Sequence, residues 1–287
     1  MKPSVSIILP ARNEELNLKQ LLPELIKEQP NAEIIVVDDH SLDNTAQVCK
    51  ENNVKIVTHP YSKGNGASVK TGARLATGDI LLFMDADGQH NPRDITRMLS
   101  KLNEGYQMVV GARNGQTQAG KRRWFGNKLY NHLASVITGH RIDDLTSGFR
   151  AVHAHTFKEF LYLLPNGFSY PTTITMAFFR SGFSIAYIPI NAEKRIGKSH
   201  IRIIRDGIRF LLIIFRIGTL YSPLKVFLPT SGIFFFLGIG HYIYTYATQG
   251  RFTNMSALLI VSSVFIFLIG LISEQITNIL YSQNGRV

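Results

Sequence analysis

Sulfur is nearly absent from this chain: Cys49 is the single cysteine in 287 residues. That excludes an internal disulfide and any cysteine cluster for zinc or iron–sulfur, and it fits a reducing compartment. The histidines are scattered, and none shows the H-x-x-x-H spacing of a helical zinc site. The opening "MKPSVSIILPARNEE" lacks the features of a secretory leader, because its apolar run is short, Pro10 ends it and no small-residue cleavage site follows. A full G-x-G-x-x-G is also missing after the first apolar run, where "PARNEE" stands instead, so a nicotinamide or flavin enzyme is not indicated. "KGNGASVKTG" is the closest approach to that fingerprint. Its glycines either let backbone approach a ligand or simply make a turn.

Charge is missing in two places. From Val226 to Tyr246 no residue is formally charged, His241 aside, and from Phe252 to Ser273 there is again none. A hydrocarbon core needs about 20 apolar residues, so each run is long enough to span one. The alternative, a pair of buried core helices, suits adjacent runs of this length poorly. Of the 31 lysines and arginines, 28 precede Tyr221, and the short link between the runs carries only Arg251. The positive-inside rule then predicts a multi-pass protein with two spans, the large N-terminal part and the C-terminal tail in the cytoplasm and the link outside. The net charge of +11 would suit nucleic acid. A membrane surface or a phosphorylated substrate explains it equally well, and no nucleic-acid partner is expected.

The remainder alternates strand and helix. Ser4 to Leu9 reads as a strand ended by Pro10, and "NEELNLKQLLPELIKEQ" places Leu18, Leu21, Leu22, Leu25 and Ile26 at helical spacing. "EIIVVDD" is a second buried strand, "SLDNTAQVCKENN" a helix with Ser41 as N-cap, "VKIVTH" a third strand, "GNGASVKTGARLAT" a third helix and "DILLFMDAD" a fourth strand. This order predicts an open α/β sheet, Rossmann-like and mainly parallel. Ligands in such sheets bind beyond the carboxyl ends of the strands, where Pro10, Asp38, Asp39, Asp85 and Asp87 fall.

"MDADGQH" brings a buried strand to the surface and loads its end with carboxylates. A divalent cation bridging a diphosphate wants hard oxygen ligands and open positions for substrate oxygens. Read as an extended segment, Asp87 and Gln89 share one metal, Mg²⁺ or Mn²⁺, while Asp85 points at the sugar or ribose. The competing reading is a turn leading into a helix with Pro92 near its first turn.

In order, "ILPARNEELN", "VVDDHSLDNT", "KGNGASVKTG", "MDADGQHNP", "VVGAR", "DLTSGFRA" and "RIGKSH", followed by two apolar runs, resemble the inverting family-2 glycosyltransferases. Within them the match is to the polyisoprenyl-phosphate sugar transferases, of the dolichol-phosphate mannosyltransferase and undecaprenyl-phosphate glucosyltransferase kind. The resemblance covers nearly the whole chain and implies a GT-A-type fold. By that resemblance Pro10, Arg12 and Glu14 form the loop after the first strand, with Glu14 on the ribose. Val37 and Asp39 contact the base. Asp85, Ala86, Asp87 and Gln89 take the metal and diphosphate, and Arg113 lies near the phosphates, so Asp85, Asp87 and Arg113 carry the reaction. Ser147 lines the acceptor-phosphate site, and Arg195, Gly197 and Ser199 form a loop closing over the donor. Arg12 stands where an aromatic residue is usual and His40 where glycine is usual. Asp143 stands where some relatives carry an arginine, for which Arg141 is the nearest substitute.

The implied activity is transfer of one sugar, with inversion, from a GDP- or UDP-hexose to a polyisoprenyl phosphate. The acceptor phosphate is already ionised near neutral pH, so positioning and charge neutralisation matter more than a strong base. Asp85 or Asp144 orients the acceptor, or Asp144 merely caps the "LTSGF" turn. Lys121, Arg122 and Arg123 read as solvated surface or as a lipid-headgroup contact. Arg202, Arg205, Arg209 and Arg216 fall within roughly 60° of one another on a helix, with isoleucines and leucines filling the rest, which predicts an amphipathic helix at the membrane surface. The predicted organisation is a catalytic domain over 1–198, the interface helix over 199–221, a two-span hairpin over 222–281 and a tail over 282–287. Glu274 falls close to the cytoplasmic boundary, where an interfacial role is expected. A homo-oligomer is compatible with all of this. Two other readings stay open: a family-2 transferase with another lipid or glycan acceptor, although the Q-x-x-R-W signature of processive synthases is absent, and a non-catalytic nucleotide-binding membrane protein, against which the intact "DADGQ" and "RIGKS" argue.

Overall fold

The computed structural model describes residues 3–113, 121–167, 169–191, 212, 215, 218–219 and 222–284. Residue contacts divide the chain into two units. One comprises Met1–His132 with His140–Ile203, and the other Leu133–Gly139 with Ile204–Val287.

The first unit is a seven-stranded sheet flanked by helices. In chain order it contains β1 (Val5–Ala11), α1 (Glu15–Glu28), β2 (Glu33–Asp38), α2 (Thr45–Glu51), β3 (Lys55–Thr58), α3 (Asn65–Leu75), β4 (Ile80–Phe83), α4 (Asp94–Leu102) and β5 (Met108–Arg113). α5 (Lys121–Thr138) follows, and its last turns belong to the second unit. The first unit closes with β6 (Arg150–His153), α6 (Ala154–Glu159), α7 (Tyr170–Arg180) and β7 (Ile185–Ile190). The strand order is β3-β2-β1-β4-β6-β5-β7. All pairs are parallel except those made by β6, which runs antiparallel between β4 and β5. The predicted mainly parallel α/β sheet is what the chain forms. Its strands read as unbroken apolar runs because helices cover both faces: Ile7, Ile8, Leu9, Leu81, Leu82 and Phe83 are fully buried.

β6 is the exception that matters for the site. Because it points the other way, its beginning lies at the end of the sheet where β4 and β5 finish: Phe83 pairs with Arg150 and Ile80 with His153. The segment leading into β6, Asp144 to Phe149, is thereby delivered to the carboxyl ends of the parallel strands.

Two local expectations are corrected. β4 stops at Phe83, and Asp85 to His90 form turns with Gly88 at φ 72°, so the carboxylates are placed by turn geometry and not by strand alternation. Ser41 does not cap α2, which begins four residues later at Thr45. The Ser41 hydroxyl instead accepts the Asn13 amide at 2.9 Å, and Leu42 N donates to Asn13 Oδ1 at 2.8 Å, zipping the β1–α1 loop to the β2–α2 loop.

The glycines of "KGNG" admit backbone of the same chain. A Cβ on Gly66 would lie 2.0 Å from the Pro165 carbonyl. The first amides of α3 are already satisfied there, Gly66 N by Gly167 O at 3.2 Å and Ala67 N by Asn166 O at 2.8 Å. Lys70 Nζ ties the same segment through Leu164 O and Asn166 Oδ1. At the opposite end of the sheet, Glu33 accepts from Ser6 Oγ, from Thr77 N and Oγ1, and from Lys55 Nζ.

In the second unit, α8 (Pro223–Gln249) and α9 (Asn254–Asn284) form an antiparallel hairpin; both helices are long and apolar enough to cross a membrane. Small residues let them approach. A Cβ on Gly238 would lie 2.7 Å from Ile260, one on Gly270 2.7 Å from Phe227, and Ser231 Oγ donates to Ser263 O at 2.9 Å. Phe236, Leu258 and Phe265 face outward and are exposed, as a lipid-facing surface requires. Glu274 accepts Leu224 N at 3.3 Å, placing its carboxylate on the positive end of α8. The amphipathic stretch read over 199–221 lies almost entirely outside the described residues.

Candidate active site

Side chains from five chain segments converge at the carboxyl edge of the sheet. Arg113 ends β5. Its Nε donates to Asp144 Oδ2 at 2.8 Å and its Nη2 to Asp144 Oδ1 at 3.0 Å, a two-point grip, and Nη2 also reaches Thr146 Oγ1 at 2.7 Å. The Arg113 amide adds a bond to Asp144 Oδ2 at 3.2 Å. Asp144 is buried, and burial alone would raise its pKa; the Arg113 guanidinium and the amides of Arg113 and Thr146 hold it below the usual carboxylate range. Burial likewise pulls Arg113 down, yet Asp144, then Asp85 and Asp87, raise it overall. Nε and Nη2 are thus spent on Asp144 and Thr146, whereas among the described residues Nη1 donates to none. Asp144 does cap its turn, accepting Thr146 N at 3.1 Å, and holds the arginine as well. With both oxygens committed and its pKa depressed, its carboxylate is suited to hold the guanidinium rather than to take a proton.

The turn itself rests on Arg150, whose side chain is fully buried. Its Nε donates to Ser147 O at 2.8 Å, Nη1 to Thr175 Oγ1 at 2.7 Å and Nη2 to Leu145 O at 3.4 Å. Ser147 is fully buried, with Oγ accepting Phe149 N at 3.3 Å, so it shapes the turn. Thr146 is half-buried, and its hydroxyl accepts from Arg113 Nη2 and donates to Asp144 Oδ1 at 3.2 Å, contacts that the sequence did not disclose. Arg141 pairs with Asp143 at 2.8 Å and is almost wholly exposed.

Asp85, Asp87 and Gln89 follow β4. Asp87 Oδ1 accepts Gln89 N at 3.2 Å, which closes the turn around Gly88. Asp85 lies against Gly148, where a Cβ would come within 2.7 Å of Oδ2. Ala86 is buried beneath the pair. Among the described residues no three acidic, histidine or cysteine side chains cluster into a ready-made cage. Two carboxylates and an amide oxygen in one turn are nonetheless the hard oxygen donors that Mg²⁺ or Mn²⁺ takes when substrate completes its shell.

The first two loops behave differently. Glu14 stands at the N-terminus of α1 and accepts Asn17 Nδ2 at 2.5 Å. Arg12 is exposed, and Pro10 is half-buried at the end of β1. Val37 is buried, its side chain against the face of α3 at Gly72. Asp39 is nearly fully occupied: it accepts from His59 Nδ1 at 2.8 Å, Ser62 Oγ at 2.8 Å, Lys63 N at 2.7 Å and Gly64 N at 2.9 Å. Burial would raise its pKa, but these four partners pull it down to about 2. Its carboxylate therefore pins the β3–α3 loop. Arg195, Gly197 and Ser199 lie outside the described residues, as do the side chains of Lys121, Arg122 and Arg123.

Comparisons with known proteins show the family and the fold. Residues 6–161 match the model of Glycosyl transferase family 2, and residues 222–279 that of the GtrB C-terminal hairpin. An uncharacterized protein of Methanocaldococcus jannaschii is 31% identical over 56% of this chain and 69% of its own. The undecaprenyl-phosphate 4-deoxy-4-formamido-L-arabinose transferase of Proteus mirabilis is 32% identical over 55% of this chain, which spans only about half, 51%, of that enzyme. Glycosyltransferase AglJ of Haloferax volcanii is 25% identical over 99% of this chain and 97% of its own. Among solved structures, glucosyl-3-phosphoglycerate synthase of Mycobacterium tuberculosis shares the fold, with a TM-score of 0.62 at 18% identity over 75% of this chain and 80% of its own. The same enzyme has been solved with Mn²⁺ and UDP.

Proposed function

Because the chain belongs to glycosyl transferase family 2 and carries a GtrB-type hairpin, we propose that this glycosyltransferase moves a single sugar from a nucleoside-diphosphate donor to a polyisoprenyl phosphate in the membrane. One observation carries the reading: an arginine fixed by a buried aspartate, whose Nη1 donates to none of the described residues, in the field of two turn carboxylates. The undecaprenyl-phosphate acceptor named for the Proteus relative supports the lipid acceptor, and the Mn²⁺–UDP complex of the fold relative supports a metal-held nucleotide donor, a GDP- or UDP-hexose.

In this reading Asp87 and Gln89 hold the divalent cation, Asp85 meets the donor sugar or ribose, and Arg113 Nη1 takes a phosphate oxygen. The cation, when bound, neutralises charge on the diphosphate leaving group. The chain's own part is placement, with Asp144 and Thr146 fixing the guanidinium plane, so the acceptor phosphate attacks in line and the anomeric centre inverts. Glu14 reaches the ribose, and Val37, Asp39, Pro10 and Arg12 border the base. Ser147 supports the acceptor side from beneath, and Arg195 and Ser199 close over the donor. The hairpin anchors the chain in the bilayer, with catalytic unit and C-terminus cytoplasmic.

A panel of radiolabelled UDP- and GDP-hexoses tests this, incubated with undecaprenyl or dolichyl phosphate and read as organic-phase product. One donor is expected to give product that is lost with Asp87→Ala or excess chelator. Product that persists under both treatments removes the metal from the reading, and no product with any pair removes the acceptor assignment.

A further inference from the structure

His90 is buried at 5% exposure directly behind the turn that carries Asp85 and Asp87, and the proposed reaction as set out above gives it no part. Its ring stacks on Phe149 with centroids 4.9 Å apart and planes 17° apart, which fixes its orientation. Nε2 faces Asp85 Oδ2 at 3.7 Å, and among the described residues Nδ1 has no hydrogen-bond partner. The distance is too long for a hydrogen bond. A buried imidazole with neither nitrogen well bonded asks for a reason.

The tautomer follows from the surroundings. A proton on Nδ1 would bury a donor with nothing to receive it and turn the Nε2 lone pair toward a carboxylate oxygen. A proton on Nε2 leaves only a bare lone pair unsatisfied and aims an N–H at Asp85. The same oxygen, Asp85 Oδ2, lies against Gly148, where a Cβ would come within 2.7 Å of it. Asp85 Oδ2 is therefore met by a ring held by stacking on Phe149 and by a backbone position that leaves no room for a side chain. Hydrogen bonds at active sites are often long in the free enzyme and tighten in the substrate complex.

We propose that His90 is a positioning residue for Asp85: its Nε2–H and the bare Cα of Gly148 fix the orientation in which the carboxylate meets the donor, and the gap closes when donor binds. This rests on the donor-site reading above. It assigns the histidine after "DADGQ" a role in the chemical step rather than in holding the fold.

The test compares three variants of the full chain in detergent. His90→Phe keeps the stacked ring and removes the N–H, so kcat for the donor active in the panel should fall about ten- to a hundredfold with KM little changed. His90→Gln places an amide N–H near the Nε2 position and should recover most of that loss. Gly148→Ala should reproduce the loss by displacing Asp85. Equal activity of His90→Phe and wild type, or equal losses in the Phe and Gln variants, overturns the proposal. A readout independent of turnover accompanies it. In protein labelled with ¹⁵N-histidine, the signals that vanish in His90→Gln identify the ring, which should show the Nε2–H tautomer and shift in Asp85→Ala. Signals unmoved by Asp85→Ala overturn the pair even if no donor supports transfer, in which case the functional reading fails separately.

Discussion

Two charged side chains at strand ends differ in how far their own chain already occupies them. Asp39 has its oxygens taken by four donors of its own chain, whereas Arg113 keeps Nη1 out of its grip on Asp144 and Thr146. Removing a charge-assisted contact costs about 1.5–3 kcal/mol, roughly ten- to a hundredfold in rate. Arg113→Ala is therefore expected to slow transfer to polyprenyl phosphate by at least that factor, with a milder effect on hydrolysis of the donor by water. Equal losses in both reactions would move Arg113 to the donor side. Arg113→Lys should not rescue, because a single ammonium cannot grip Asp144 at two points and still present a fixed donor outward. Asp144→Asn can still accept the Thr146 amide but loses the ion pair, so it should repeat much of the Arg113→Ala loss while leaving the melting temperature less affected than a broken turn would.

At the scale of elements, two glycines of one contact make opposite predictions. Gly66→Ala drives a methyl into the Pro165 carbonyl, and crowding of this kind typically costs about 1–3 kcal/mol. Gly167→Ala, on the facing segment, meets nothing within 4 Å among the described residues. Thermal melting of the full chain should show a clear drop for the first and little change for the second; a matched pair of melting temperatures would mean the α3 contact is not built as described. The same comparison shows what sequence could disclose. Unbroken apolar runs made β1, β2 and β4 legible, since a strand buried on both faces has little other choice of composition. β6 was not, because "RAVH" is short and its antiparallel pairing is set by β4 and β5 on either side. Asp85, Asp87 and Arg113 were legible as polar residues ending apolar strands. The burial of Ser147 and the bond from Arg113 to Thr146 were not, because the turn's orientation depends on Arg150 reaching Ser147 O and Leu145 O. Ser41 failed as a cap for a similar reason: a tertiary contact to Asn13 took the hydroxyl that local pattern had assigned to α2.

The whole molecule carries a dependence on pH that originates far from the site. Glu33, at the amino end of β2, is partly buried, which alone would raise its pKa, but Ser6, Thr77 and Lys55 lower it to about 2 from 4.5. A carboxylate depressed on folding contributes stability that is full above the unfolded value and fades as pH falls toward the folded one. The window therefore runs from about pH 4.5 down to about 2, and the amount is on the order of 3 kcal/mol. Asp39 adds to it in the same direction. Glu33→Gln is expected to lower the melting temperature at pH 7 and to flatten its fall between pH 5 and 3. A variant whose melting curve tracks the wild type through that range would show that the Glu33 network contributes nothing.

The arrangement expected across the bilayer is argued from where the charge is and where it is not. The hairpin turns at Gly250, with φ 69°, and only Arg251 stands between the two spans, while 28 of 31 lysines and arginines precede Tyr221. Moving that many cations across a membrane is far less favourable than moving one, so the link is the part expected outside. The lone, buried Cys49 makes the test simple, since burial pushes its thiol up to about 11 and removes it from competition for the label. With Cys49 left in place, Arg251→Cys should react with a membrane-impermeant maleimide on intact cells. Tyr61→Cys, on an exposed loop of the catalytic unit, should react only after permeabilisation. The reverse pattern would invert the assignment. Labelling of both positions in intact cells would mean that the hairpin does not span, and with it would go the idea that the acceptor is met by an enzyme held in the same bilayer.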